Sequence, residues 1–471
     1  MSSINLINGG LDVQSIVDGL ITAERQPITR LEKQNQTHQS KISAYQTFNS
    51  KLLAFKTSVD SILFHGEDVP LNVPSSFSDR LSKSLFALRK ATSSDEDVIT
   101  ATAGKGEATG TFHVTVDGLA GYHTYGSANF ISNTETETGT GTLVIQKGSE
   151  DEVTFTITAE NNSLQGIRDE INDADAGFTA TVVNDGSATP YRLVITSDDS
   201  GSANELTITD NLTGGSALTL AQIAAANDAT LTVNGVEYTR SSNSISDVIL
   251  GVTLNLKAES GSSQIVVERD VDSIVSGIQD FVAKYNDVVS YIASQSKYDP
   301  ATKKAGILAG DYTLRDTRSK LSSILNQSIA AEGYSLSLLS QIGIKLGNTG
   351  TYTVDETKLR EQLSADAENV AHLFLADATD SEENTISLVP MLHSRLKGIT
   401  DTFEGPVVRA TNALQQNIGR VKHQIEEMES RLETRRAILL AQFTKADQAL
   451  RQLSVMQMSL TSQLNTLSSL K

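Results

Sequence analysis

Seven histidines, at positions 38, 65, 113, 123, 372, 393 and 423, are the first residues to test for chemistry. A zinc-protease helix needs two of them four residues apart with a glutamate between, and neither HExxH nor a comparable metal spacing occurs. Each histidine therefore reads as a surface or helix-packing residue. Gly104-Lys105-Gly106 lacks the spacing of a phosphate-binding loop and reads as a turn. Asp173-Ala174-Asp175-Ala176-Gly177 begins like a calcium loop but lacks the later glutamate ligand, so a helix-ending turn is the simpler reading. Asp198-Asp199-Ser200-Gly201 is a turn between strands on the same grounds. Glycoside hydrolysis needs two carboxylates facing each other across a cleft, and no such pair is marked in the sequence. The chain has no Cys, which excludes a disulfide framework, a thiolate zinc site and a cysteine nucleophile. No catalytic, cofactor-binding or metal-ligating residue is assigned. The expectation is a protein that is not an enzyme and needs no cofactor.

What the sequence does space regularly is apolar surface. Near the C-terminus a seven-residue repeat runs through Ile418, Val421, Ile425, Met428, Leu432, Leu439, Leu453, Met456, Leu460, Leu467 and Leu470. Near the N-terminus the same alternation of threes and fours gives Leu31, Tyr45, Leu52 and Val59, interleaved with Phe48, Phe55 and Ile62. A stripe with a 3.5-residue period must be covered by another helix along its length. The C-terminal stripe spans 53 residues and the N-terminal one 32. At 1.5 Å per residue that leaves about 30 Å of apolar ridge without an intramolecular match. Exposed apolar surface on that scale marks an interface. These eighteen residues are the candidate interface contacts. Gln34, His38, Lys41, Arg435, Gln442 and Gln463 are polar interruptions expected to weaken the seam and fix its register.

The elements between the two stripes follow from local signals. Residues 1–30 carry Gly9-Gly10, Gly19 and Pro27, so no stable isolated helix is expected there. A helix over 31–64 ends at Gly66, Pro70 and Pro74, and residues 75–128 read as strands. Residues 139–210 form an α+β unit in which Ser163 caps a short helix with Leu164, Ile167 and Ile171 on one face. Asn234-Gly235 marks a hairpin, followed by a brief helix over 244–250 and a strand through Val252, Leu254 and Leu256. From Val271 the chain turns helical, with Ile274, Ile278, Phe281, Val282, Tyr285, Val288, Val289 and Ile292 on one face, and further helices over 311–330, 355–375, 386–400 and 411–471.

Net charge is −19, which argues against a nucleic-acid partner. Between 129 and 230 there are 16 acidic residues against Lys147, Arg168 and Arg192, a net of −13, read as a solvated surface. No apolar run approaches the roughly 18 residues that cross a bilayer. The first basic residue is Arg25, so a secretory signal with a positive leading region is not expected and neither is membrane insertion.

Several segments resemble one family. GLDVQSIVDGLITAERQP at 10–27 looks like the opening signature of the flagellar filament cap family, also called hook-associated protein 2. ATLTVNGVEYTRSSNSISDVILGVTLNLKAES at 229–260 resembles its internal β signature. GILAGDYTLRDTRSKLSSIL at 306–325, and IGI, TYTVDETKLREQL and VAHLF within 342–374, are similar to its C-terminal half. Residues 163–210, with EIN at 170–172, are similar to a repeat shared with flagellins. A flagellin itself fits less well, because its matched terminal helix starts at once, without glycine interruptions.

The resemblance implies an α+β multidomain protein with a helical, coiled-coil terminal leg and an α-helical domain enclosing inserted antiparallel β-rich head domains. The expected segments are 1–42 as a partly disordered N-terminal leg, 43–70 with 272–410 as the helical leg domain, and 71–128 with 229–271 as a β domain. Residues 129–228 form the inserted head and 411–471 the C-terminal coiled-coil helix. It also implies a homopentameric ring at the extracellular filament tip that promotes flagellin polymerisation and prevents loss of monomers. Its expected partners are flagellin, the filament tip or hook–filament junction proteins, and an export chaperone on the C-terminal helix. Type III export without a cleaved signal peptide would place it there. The alternative is a surface adhesin whose acidic β head binds host mucus or glycans.

Overall fold

The computed structural model describes residues 12–70, 73–106, 108–135, 137–300, 303–330, 333–379 and 385–468. The chain divides into two compact units. One comprises residues 1–61, 278–362 and 372–471, and the other 62–277 and 363–371.

In chain order come α1 (Val13–Glu24), α2 (Gln26–Leu63) and α3 (Phe77–Lys83). Four strands follow: β1 (Arg89–Ser93), β2 (Ile99–Ala103), β3 (Gly110–Gly118) and β4 (Tyr122–Gly126). After β5 (Gly141–Lys147) and β6 (Val153–Ile157) lies α4 (Leu164–Asp173), then β7 (Phe178–Asn184), β8 (Tyr191–Ser200), β9 (Leu206–Asp210) and β10 (Ala221–Ala224). Next are β11 (Ala229–Val233), β12 (Val236–Arg240), β13 (Ser244–Ile249), β14 (Val252–Leu256) and β15 (Gly261–Arg269). The remainder is dominated by α5 (Val271–Ser296), α6 (Tyr312–Asn326), α7 (Glu356–Leu375), α8 (Val389–Ile399) and α9 (Pro406–Ser468).

The helices begin where local chemistry satisfies their free N–H groups. The Asp79 N–H donates to Ser76 Oγ at 3.1 Å, starting α3, and the Gly166 N–H donates to Ser163 Oγ at 3.1 Å, starting α4. Leu314 N–H donates to Asp311 Oδ1 at 3.1 Å ahead of α6. Pro27 and Pro406 lie in the first turns of α2 and α9, where a missing N–H leaves no bond unmade.

Three expectations are corrected. Residues 13–24 do form a helix, because α1 is not isolated: it packs on α9, leaving Val17 fully buried. Gly9 and Gly10 lie outside the described residues. Residues 77–83 are helical rather than extended, since Ser76 and Asp79 cap α3. Residues 244–249 are strand β13, paired with β14, and not a helix. Ile245 and Ile249 stand four apart, a spacing that shares one face in either structure.

The helical unit is held by aromatic packing along α2. Phe48, Leu52 and Phe55 are fully buried. Phe55 meets Phe281 at 5.5 Å and Tyr285 at 5.8 Å between ring centroids, and Phe281 meets Phe374 at 6.4 Å. Such pairs prefer the tilted and edge-on geometries seen here. The Tyr45 hydroxyl donates to Asp311 Oδ2, and burial, then this carboxylate, pushes the phenol's ionisation upward. Tyr45→Phe leaves that half-buried carboxylate oxygen short of a donor. It is expected to lower stability by about 1–3 kcal/mol, read as a shift in the urea midpoint at unchanged slope.

The β-rich unit contains two antiparallel assemblies. The first joins a five-stranded sheet, in the order β1-β15-β3-β11-β12, to a three-stranded sheet, β13-β14-β2, around Ile99, Val116, Leu231, Leu254 and Ile265. The second joins β10-β4-β8-β7 to β6-β5-β9 with α4, around Leu143, Phe155, Ile167, Phe178 and Leu193. In sequence the second core, from Phe130 to Leu218, lies inside the interval that separates the two halves of the first. The Asn234-Gly235 hairpin forms as its residues require, both with positive φ, of 50° and 88°.

Candidate functional site

The C-terminal repeat lies on α9, 63 residues and therefore roughly 95 Å long. Its first half is seated. Val421 and Leu439 are buried, while Ile418, Ile425, Met428 and Leu432 are half-buried. Three ion pairs tie α1 to this stretch: Asp18 with Arg436 at 2.7 Å, Arg25 with Glu429 at 2.9 Å and Glu24 with Arg435 at 3.8 Å. The rising numbers on α1 meet falling numbers on α9, so the two helices run antiparallel. All six side chains are about half exposed, so each pair contributes at most about 1 kcal/mol and chiefly sets register.

Beyond Asp447 the helix is uncovered. Leu453, Met456 and Leu460 are 59%, 57% and 60% exposed, and Leu450, Val455, Met458 and Leu464 are equally bare. The Leu467 side chain and Leu470 lie outside the described residues. From Gln452 to Leu470 the sequence has no charged residue. Up to Asn465, the last described side chain, this uncharged stretch of helix is exposed throughout, surface prepared for a partner.

The N-terminal repeat is placed differently. Tyr45, Phe48, Leu52, Phe55, Val59 and Ile62 are buried in the chain's own core, and only Leu31 remains half-buried. The surface that these six would offer a partner is already used inside the subunit. Of the polar interruptions, Gln34 is exposed, whereas Asn35, which sequence reading missed, is buried. Leu31, Asn35, His38, Ile42, Tyr45, Asn49 and Leu52 alternate by fours and threes. Asn35 Oδ1, His38 Nδ1 and Asn49 Oδ1 are buried on this seam without a hydrogen-bond partner among the described residues.

The histidines are not brought together. His393 Nδ1 lies 2.6 Å from Asp60 Oδ1, and His123 Nδ1 accepts the Leu206 N–H at 2.6 Å. Among the described residues no group of three or more His, Asp or Glu could hold a metal ion, and no helix is long and apolar enough to cross a membrane.

Comparison with known proteins gives this geometry a context. The family description "Flagellar hook-associated protein 2 N-terminus" matches residues 9–123 and "Flagellar hook-associated protein 2 C-terminus" matches 226–455. The flagellar hook-associated protein 2 of Escherichia coli K12 is 30% identical, over 94% of this chain and 93% of its own length. The chain belongs to the flagellar hook-associated protein 2 family. The A-type hook-associated protein 2 of Pseudomonas aeruginosa is also 30% identical, covering 96% of this chain and 95% of its own. The crystal structure of the flagellar cap protein FliD D1-D2-D3 domains from Escherichia coli aligns with a TM-score of 0.61 at 30% identity, covering 79% of this chain and 99% of that one. The flagellin hook IN motif matches 142–199, beginning earlier and ending sooner than the expected 163–210. This family is one of structural flagellar cap proteins, and the adhesin reading gains no support from these relatives.

Proposed function

We propose that this chain caps the distal end of the bacterial flagellar filament. In this reading it forms a homo-oligomeric ring, a pentamer, that guides flagellin into the lattice and keeps unpolymerised monomers from escaping. It reaches the tip by flagellar type III export, for which a chain without cysteine is suited. The observation that carries the reading is the bare C-terminal half of α9. Leu453, Met456 and Leu460 are held on a helix whose base is anchored by α1, so the exposed stripe is presented at a fixed orientation rather than on a loose tail. Leu467 and Leu470 extend the same repeat. Each side chain gains on the order of 1–2 kcal/mol when covered, which adds to firm but exchangeable binding. Exchange is needed, since a cap must move each time a subunit is added. Before export the same stripe offers a chaperone an apolar helix to cover.

A strain lacking this chain tests the reading. It is expected to secrete flagellin monomers into the medium, to carry short or absent filaments, and to recover when the intact chain is restored. Normal filaments with no free flagellin would sink the proposal.

A further inference from the structure

A second surface in the helical unit is built for contact and is not part of the α9 stripe. A groove of about 600 Å³ runs between α6, α8 and the first turn of α9. Met391, Ile399 and Pro406 supply apolar lining, and Tyr312, 72% exposed, stands at its edge. Two guanidiniums line it as well. Arg395 and Arg409 are exposed and make no hydrogen bond or ion pair through their side chains among the described residues. The adjacent Lys320 is already neutralised by Asp316 at 2.7 Å. In a chain of net charge −19, two unanswered arginines over an apolar floor stand out as a receptor for carboxylates.

The chain carries the complementary charge itself. β5 and β6 form a hairpin, and Glu150, Asp151 and Glu152 stand in sequence at its tip. Glu150 is engaged by Lys147 at 3.3 Å, but Asp151 and Glu152 are exposed and form no ion pair among the described residues. An exposed acidic turn complements a basic-rimmed groove in charge. A basic site on one copy that takes an acidic site of the next joins copies head to tail, an arrangement that can close into a ring.

We propose that the Arg395–Arg409 groove receives the Asp151–Glu152 hairpin tip of a second copy of this chain. The proposal rests on the self-association argued above and adds the contact that sets its direction. Paired charges of this kind act on encounter rate and specificity as well as affinity, and they weaken with salt.

The test is sedimentation velocity on full-length protein with α9 intact, so failure here leaves the α9 reading standing. Three chains are compared with the intact one: R395E/R409E, D151K/E152K and the combined charge swap R395E/R409E/D151K/E152K. All four positions are exposed, and circular dichroism melting checks that each variant folds. Each double variant is expected to weaken association about 10-fold or more at low salt, and the combined swap is expected to recover it. Raising ionic strength should reduce the difference between intact and double-variant chains. Association of R395E/R409E at the intact strength would overturn the proposal, as would a combined swap no better than either double variant. If R395E/R409E loses binding to assembled flagellin filaments while self-associating normally, the groove serves the filament instead and the proposal fails.

Discussion

Replacing Leu453, Met456 and Leu460 together by Glu is expected to abolish swimming and release flagellin into the medium without unfolding the subunit. The three side chains are more than half exposed, so the isolated chain should melt within about 0.5 kcal/mol of the intact protein. In an assembly they would lie covered. Burying them contributes on the order of 3–6 kcal/mol, and buried carboxylates reverse the sign of that contribution. A loss of about 100-fold or more in association follows. Gln442→Leu with Gln463→Leu changes the same stripe in the other direction and should tighten contacts and slow filament growth. The readout is filament length by electron microscopy together with flagellin in the culture supernatant. Loss of motility accompanied by a collapsed melting transition would instead assign these residues a role in folding.

The second large effect concerns stability. Asp60, on α2, is buried between two partners: its Oδ1 lies 2.6 Å from His393 Nδ1 on α8, and its Oδ2 accepts from Lys56 Nζ at 2.5 Å. Burial pushes this carboxyl up, but hydrogen bonds from His393 and Lys56 outweigh it and hold the group below the ordinary carboxylate value. Asp60→Ala removes the carboxylate that His393 and Lys56 share and is expected to destabilise the helical unit by about 3–5 kcal/mol, a large share of a typical folding free energy. Replacing all three members by apolar residues of similar volume should cost far less, because no stranded charge remains.

The sign of the pH dependence follows from the lowered value. The unfolded chain takes up the Asp60 proton at higher pH than the folded chain does. The ionised carboxylate therefore contributes its full stability above the unfolded value of 3.8 and loses it as pH falls through the lower folded value. Urea midpoints followed by circular dichroism from pH 6 downward should fall more steeply below about pH 4 for the intact chain than for Asp60→Ala. Parallel curves would remove Asp60 from the account.

Much of this architecture was legible because one period decided it. The face of α5 from Ile274 to Ile292 and the capped α4 were readable from apolar spacing and a single serine, and both are buried as their spacing requires. β13 was not readable, because Ile245 and Ile249 satisfy helix and strand equally and only pairing with β14 decides between them. α1 was misread for a related reason: its glycine and weak local pattern are overridden by α9, which lies more than 400 residues away in sequence. The candidate interface shows the sharpest limit. Leu52 and Leu453 occupy equivalent positions in two heptad stripes, yet the first is fully buried and the second 59% exposed. A heptad states that a stripe must be covered and says nothing about which chain covers it. The groove at Arg395 and Arg409 had no sequence signal at all, since its lining comes from three helices spread over about a hundred residues.

The whole account depends on α9 being finished by other molecules, and sedimentation velocity on the intact chain beside one ending at Asp447 addresses it most directly. The intact protein should move from monomer to a closed oligomer as concentration rises, while the shortened protein, equally folded, stays monomeric throughout. An intact chain that remains monomeric at the highest concentration reached, or a shortened one that assembles just as well, would contradict it.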